Sequence, residues 1–438
     1  MVAWNRKGLT VEDTTLMYCS DRIPAVWPNA LGQVKSIRLF RAWHQDWHNK
    51  EECARLCLLP DHGKCTCFAE RTEAWQQLKS FAVRNGAKFL LGTQVSCVDS
   101  DDSQDWAYTK ELAQLLGRKH IMGLAVGNEM DLLYRKMKDD HSVDQECINR
   151  LWQRGQLWDI LTNRVQELDS LGFADVPVTS VFSAAALGGD PFQEESGKAL
   201  VNSFLRNATQ RYGRRYAFTF NHYSYFDPNL GFPEKGMCTW QIQKAVCWDH
   251  NCMVPESMSN AREKIELFTG ERDYLYWVGE TGWSHPQPHT LDTSMAYCRA
   301  WSSNQSFFDF YSGFLNWDLS IPGFRPPDHI FYFSVRSSLN FGWPEHFGLI
   351  DQCEDVMCKL VQKDYVAPMP TLETQGRWLS ALRSVSFGAV AAVVLLALAS
   401  TWLYTRMFPE EWKNRTVRRM QQEPTEDTAS SSSTSETD

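Results

Sequence analysis

Seven short apolar, β-rich runs alternate with longer amphipathic stretches over the first 350 residues. This alternation predicts an α/β chain whose repeated β/α units close into a (β/α)8 barrel of the TIM type. Two further observations shape the expectation. Two of the apolar runs end in a glycine-flanked glutamate, and an uncharged run of 22 residues lies beyond the last globular pattern. The expected order is a barrel over 1–350, a stalk over 351–383, one transmembrane helix over 384–405 and a disordered cytoplasmic tail over 406–438.

The strand candidates are Val34–Phe40, Lys88–Val95, Ile121–Val126, Val176–Phe182, Ala217–Phe220, Tyr274–Gly279 and Gly313–Trp317, with an eighth expected before Cys19. Intervening stretches such as Trp106–Leu116 and Leu151–Leu168 carry apolar residues at helical spacing. No internal repeat is visible. A chain of 438 residues suits one such barrel with appendages, and 43% apolar residues supply a sizeable core. The net charge of −9, with no offsetting basic stripe, excludes a general nucleic-acid role. The 18 tryptophans fit both a large core and a sugar-binding cleft, and composition does not separate the two.

Ser384–Thr405 contains no charge and is rich in Ala, Val and Leu. As a helix it would span about 33 Å, enough for the apolar core of a bilayer. It lacks polar periodicity, which argues against a buried core helix, and Trp402 and Tyr404 suit an interfacial anchor. Arg406, Lys413, Arg415, Arg418 and Arg419 follow the run, whereas only Arg377 and Arg383 shortly precede it. The cation-rich side stays in the cytoplasm, so a single-pass type I membrane protein is expected, its barrel extracellular or lumenal. All 13 cysteines lie at or before Cys358, as disulfides in an oxidising compartment require. The first residues, Met1 to Lys7, carry no apolar signal-peptide core. Either the natural chain begins earlier, which is the favoured reading, or the span itself is the targeting signal. Pro368 and Pro370 mark the stalk, and Glu423–Asp438 is Ser/Thr/Glu-rich.

Two segments carry chemistry. Ile121-Met-Gly-Leu-Ala-Val-Gly-Asn128-Glu129 is an apolar strand ending in a polar pair, and Tyr274-Leu-Tyr-Trp-Val-Gly279-Glu280-Thr281-Gly282-Trp283 ends in the same way. A glutamate at the carboxyl end of a barrel strand points into the mouth, where catalytic groups collect. One such residue is ordinarily just a surface glutamate. Two facing carboxylates are what glycosidic bond cleavage requires, one as acid/base and one as nucleophile. The adjacent glycines permit tight turns and close substrate approach, and Trp283 would offer a sugar platform.

Gly127-Asn128-Glu129 and Gly279-Glu280-Thr281-Gly282-Trp283 resemble the acid/base and nucleophile motifs of glycoside hydrolase family 17. Ser36-Ile-Arg38-Leu-Phe40 is similar to that family's second strand, Phe220-Asn221-His-Tyr223-Ser-Tyr225-Phe226 to its Asn-x-Tyr-Pro-Tyr segment, and Glu345-His-Phe347-Gly348-Leu349 to its closing Glu-containing segment. The matches run from Ser36 to Leu349 in family order. The resemblance implies a retaining enzyme on β-1,3-glucan, with Glu280 as nucleophile and Glu129 as acid/base. It further implies that Asn128 touches the sugar 2-hydroxyl and that Asn221, Tyr223, Tyr225, Trp283, Asp318 and Glu345 belong to the substrate site. Phe40 stands where the family has Tyr, Ser224 and Ser284 stand where it has Pro, and Asp318 lacks the family's lysine partner.

His44, His48, Cys53, Cys57, His62, Cys65 and Cys67 fall within one stretch after the second strand candidate. A structural zinc site is conceivable there, but the spacing is no clean pair of CxxC motifs, and cysteines stapling a secreted loop are the plainer reading. Cys238, Cys247 and Cys252, and Cys353 with Cys358, read as staples too, while His285 and His289 read as cleft or surface residues. No metal and no cofactor is expected. Asn207 and Asn304 lie in glycosylation sequons on the expected outer side; Asn414 also matches but would face the cytoplasm. Three function classes stay open: a β-glucan hydrolase, a glucanosyltransferase using the same covalent intermediate, and a non-catalytic glucan receptor. The paired glutamates argue against the third, because a binder needs no such pair.

Overall fold

Eight parallel strands close on themselves in chain order: β1 Lys7–Val11, β2 Ser36–Leu39, β3 Lys88–Thr93, β4 Ile121–Asn128, β5 Val178–Ser183, β6 Phe218–Asn221, β7 Tyr276–Thr281 and β8 His329–Tyr332. The pairing of Lys7 with Ile330 and of Leu9 with Tyr332 joins β8 to β1 and completes the barrel. The computed structural model describes residues 3–44, 70–133, 145–195, 199–226, 238–285, 298, 300–337, 346–350 and 359. The chain divides into the units Met1–Ala367 and Pro368–Asp438, and every described residue belongs to the first. The Ser384–Thr405 run and the tail therefore lie outside the described residues. Among the described residues, no helix is long and apolar enough to cross a membrane.

Six of the expected strands fall on observed ones, and the strand expected before Cys19 is β1. One expectation is corrected. Gly313–Trp317 is not a strand: Gly313 to Asn316 are the last turn of the helix Asn304–Asn316. Phe307, Phe310, Tyr311, Phe314 and Leu315 are all buried, spaced as one face of a helix, and the Ser303 hydroxyl caps its start by accepting the Ser306 N–H at 3.1 Å. A five-residue window conceals that period. The true β8 has only four residues and follows Pro326 and Pro327, so it carries little pattern of its own. Trp106–Leu116 lies within the helix Asp99–Leu116, and most of Leu151–Leu168 within Gln156–Leu168.

The core has two layers, as a barrel requires. A large shell packs between strands and helices, while Leu90, Ala125, Val181, Ala217, Trp277 and Phe331 fill the lumen. Trp277 takes much of that space because Gly123 faces it; a Cβ there would come within 2.7 Å of the indole ring. At the start of β1, on its outer face against the helix Asn304–Asn316, the Lys7 ammonium donates to the carbonyls of Phe314, Leu315 and Trp317 at 2.7, 3.0 and 2.5 Å. It thereby satisfies orphan groups at the end of Asn304–Asn316 and opposes the negative end of the helix dipole. Burial pushes Lys7 down to about 7, and nearby Asp318 acts in the opposite sense.

His329 opens β8 and lies wholly within the barrel, its Nε2 2.6 Å from the Ser36 hydroxyl. Burial, reinforced by Arg6, lowers it from 6.5 to about 3, so it is neutral in the fold. A base held below its unfolded value contributes stability that is complete above pH 6.5 and is lost as pH falls toward 3. His329→Asn removes this proton uptake. The melting temperature of the wild type should therefore fall more steeply than that of the variant between pH 7 and pH 5, both followed by circular dichroism. Parallel curves would refute the assignment of a neutral buried His329.

Disulfides brace the mouth side. Cys97–Cys147 joins the segment after β3 to that after β4, Cys238–Cys298 joins those after β6 and β7, and Cys247–Cys252 closes a short turn. Cys19 is disulfide-bonded as well. Of the histidine- and cysteine-rich stretch, only His44 is described, with Nε2 3.9 Å from Asp101. His48, Cys53, Cys57, His62, Cys65, Cys67, Cys353 and Cys358 lie outside the described residues.

Candidate active site

The carboxyl ends of β2, β4, β6 and β7 converge on one polar cluster. On β4, Gly127 at φ +74° turns the backbone so that Asn128 and Glu129 face the mouth; a Cβ at Gly127 would crowd Met130 at 2.8 Å. Glu129 itself has φ +50° and ψ 40°, the left-handed region that non-glycine residues rarely enter. Its N–H donates to Val181 O on β5 at 2.8 Å, which helps hold that conformation. On β7, Glu280 is buried, and its carbonyl accepts the His222 N–H at 2.8 Å. That bond ties β7 to the segment after β6.

Asn221, the last residue of β6, links the two acids. Its Nδ2 donates to Glu129 Oε1 at 2.9 Å and to Glu280 Oε1 at 2.8 Å. Because both bonds leave one nitrogen, the two oxygens lie less than about 6 Å apart, within the separation of a retaining carboxylate pair and short of most inverting ones. Arg38 on β2 completes the cluster: Nη1 donates to Glu280 Oε1 at 2.8 Å and Nη2 to Asn128 Oδ1 at 2.6 Å. The Tyr223 hydroxyl donates to Glu280 Oε2 at 2.7 Å. Both Glu280 oxygens thus accept bonds, one from a guanidinium, and the carboxylate is oriented and charge-paired within the protein. Glu129 is half-buried and more open. The two acids thus differ in burial and in how closely they are held.

Gly279 makes the cluster possible. A Cβ there would come within 2.5 Å of Asn221 Oδ1 and 2.9 Å of Arg38 Nη1. Gly279→Ala should therefore displace one of those groups and reduce turnover by about 10²-fold, the scale of an ångström misplacement, while the barrel still folds. Circular dichroism together with kinetics checks this; an active Gly279→Ala enzyme would show that the layer is not tightly packed.

Aromatic rings surround the cluster. Phe40 is half-buried, lies 4.5 Å from the Arg38 guanidinium and meets Phe333 edge-on. Phe226 is 47% exposed and touches Tyr223, Tyr225 and Phe347. Trp283 and Tyr225, by contrast, are 0% exposed. The Trp283 indole donates to Trp301 O at 2.9 Å, and the Tyr225 hydroxyl bonds Ser302. Neither ring presents a face to solvent, so both act from behind the cluster. Hydroxyl-bearing Tyr223 remains half-buried at its edge.

The other sequence candidates are scattered. Asp318 is exposed at the amino-terminal end of the strands, next to the Lys7 contacts and opposite the mouth, because the segment before it is a helix end and not a strand. Glu345 and His289 lie outside the described residues. The His285 Nδ1–H donates to Ser302 O at 2.8 Å. Asn207 is exposed on the helix Val201–Tyr212, and Asn304 is half-buried at the start of its helix. Sequence reasoning assigned no role to Arg38 or His222. A charged residue inside the apolar strand Ser-Ile-Arg-Leu was the available signal for Arg38. His222 carried none; burial lowers it to about 3, and it joins Ser257 Oγ and the Tyr276 hydroxyl, each at 2.7 Å.

No family model matches the chain, and no curated protein matches it significantly in sequence. Among solved structures, similar ones include a plant β-glucan endohydrolase, at 15% identity and a TM-score of 0.47, covering 73% of this chain and 90% of that one. A family 128 (subgroup II) endo-β-1,3-glucanase from Sorangium cellulosum matches at 12% identity and a TM-score of 0.39, covering 81% and 94%. A β-glucosidase from Exiguobacterium marinum matches at 11% and 0.39, covering 80% and 93%. Likenesses this remote decide neither family nor activity; the barrel is given by the strand pairing itself.

Proposed function

We propose that this chain is a retaining glycoside hydrolase acting on β-1,3-glucan, with Glu280 as nucleophile and Glu129 as acid/base. The supporting observation is the single Asn221 nitrogen bonded to both carboxylates, which limits their separation. In the first step a Glu280 oxygen bonds the anomeric carbon while the bond to the leaving oxygen breaks. Glu129 gives its proton to that oxygen. Arg38 and Tyr223 aim the attacking carboxylate, and Asn128 lies beside Arg38 where a sugar 2-hydroxyl would approach. In the second step water adds to the anomeric carbon, its proton passes to Glu129, and Glu280 leaves as carboxylate. A sugar hydroxyl in place of water would give chain transfer from the same intermediate.

Laminari-oligosaccharides incubated with the enzyme should yield shorter products whose first-formed anomer is β by NMR. Products longer than the donor would assign the chain to transfer. An α product, or no turnover at all, would overturn the proposal.

The resemblance to family 17 and a type I anchor through residues 384–405 belong to the same reading. The disulfides favour an oxidising compartment for the barrel. Protease should spare the tail in intact cells, and endoglycosidase should remove mass at Asn207 or Asn304; cleavage of the tail from outside would sink the topology.

A further inference from the structure

Two residues beyond Glu129 stands a carboxylate that the chemistry above leaves unused. Asp131 is 6% exposed and accepts both the N–H and the hydroxyl of Ser183, at 3.0 and 2.5 Å. Ser183 is the last residue of β5, and its Oγ also accepts the Ala185 N–H at 3.1 Å, which leaves its proton directed at Asp131. The Glu129 N–H is bonded to Val181 O of the same strand. Between them, Met130 O accepts the Trp152 indole N–H at 3.1 Å. The turn Glu129–Asp131 is thus fastened to the carboxyl end of β5 at both its ends and braced in the middle.

This fastening has something to hold. Glu129 sits at φ +50°, a conformation unfavourable for an L-residue that persists only where the surroundings enforce it. Relaxation to the right-handed region would rotate the Glu129 side chain away from Asn221. We propose that Asp131 is a positioning residue for the acid/base: its carboxylate, bonded twice to Ser183, keeps the left-handed turn closed and Glu129 aimed at the glycosidic oxygen. The role rests on Glu129 being the acid/base. Asparagine at 131 would keep the volume and one acceptor but lose the charge-assisted hydroxyl bond.

A positioning role predicts a dependence on leaving group that a purely structural one does not. For kcat/KM, which reads the glycosylation step, Asp131→Asn should lower turnover of phenyl β-laminaribioside by about tenfold or more, because that donor needs proton transfer. With 2,4-dinitrophenyl β-laminaribioside, which departs unaided, the variant should stay within about twofold of wild type. Ser183→Ala keeps the backbone donor and should give the same pattern with smaller amplitude, so it carries the test if Asp131→Asn does not fold. An equal fall on both donors, or no fall on either, overturns the role of Asp131 while the function stands. A wild type that turns over neither donor removes the Glu129 assignment itself, and with it the role of Asp131.

Discussion

Replacing Glu280 by alanine should abolish turnover, by about 10⁴-fold or more, because the cluster's other carboxylate, Glu129, is assigned to the leaving group and not to the anomeric carbon. It should also destabilise the barrel. Arg38 and Glu280 have side chains only 2% and 7% exposed and pair at 2.8 Å, and removing one member of a buried pair typically costs about 3–5 kcal/mol through the charge left behind. A glutamate at a strand end, read from sequence alone, suggests an open mouth-facing residue whose loss spares the fold; its burial against Arg38 changes that expectation. Glu280→Gln keeps the volume and an acceptor for Arg38 and Tyr223, so it should lose activity to the same degree with a smaller loss of stability. Chemical denaturation and kinetics on both variants separate the effects. A Glu280→Ala enzyme with measurable wild-type activity would remove the nucleophile assignment.

Glu129→Ala should produce the second largest effect, and a divided one. Donors with poor leaving groups should lose about 10²–10⁴ in kcat/KM, the usual worth of general acid catalysis. Dinitrophenyl donors should retain most of theirs, yet the glycosyl-enzyme should then accumulate, because the same residue activates water in the second step. A burst of dinitrophenol followed by slow turnover is the observable. Stability should change little, since Glu129 is half-buried and loss of its bond to Asn221 leaves that nitrogen still paired with Glu280. A uniform loss over all donors would point to a role in binding instead.

The β/α alternation and the two strand-end motifs were legible in the sequence because they are local. Apolar runs such as Lys88–Thr93 and Ile121–Asn128 announce strands by composition, and a glycine before a strand-end glutamate marks each turn. The eighth strand was not legible. His329–Tyr332 is short, and the helix before it imitates a strand over five residues, so only closure against β1 identifies it. A strand over Gly313–Trp317 would have set Asp318 at the mouth, whereas the helix end leaves it at the opposite end of the barrel.

What sequence by itself determined is therefore the barrel pattern and which glutamates end its strands. The tertiary structure decided what surrounds them. It turned Arg38 inward from an apolar strand onto Glu280, used one Asn221 nitrogen to link two acids separated by 151 positions in the chain, and buried Trp283 and Tyr225 behind the cluster. None of those contacts has a sequence period, since each joins strands brought together only by barrel closure. The side-chain spacing that sets the chemistry is a property of the closed sheet, not of any segment within it.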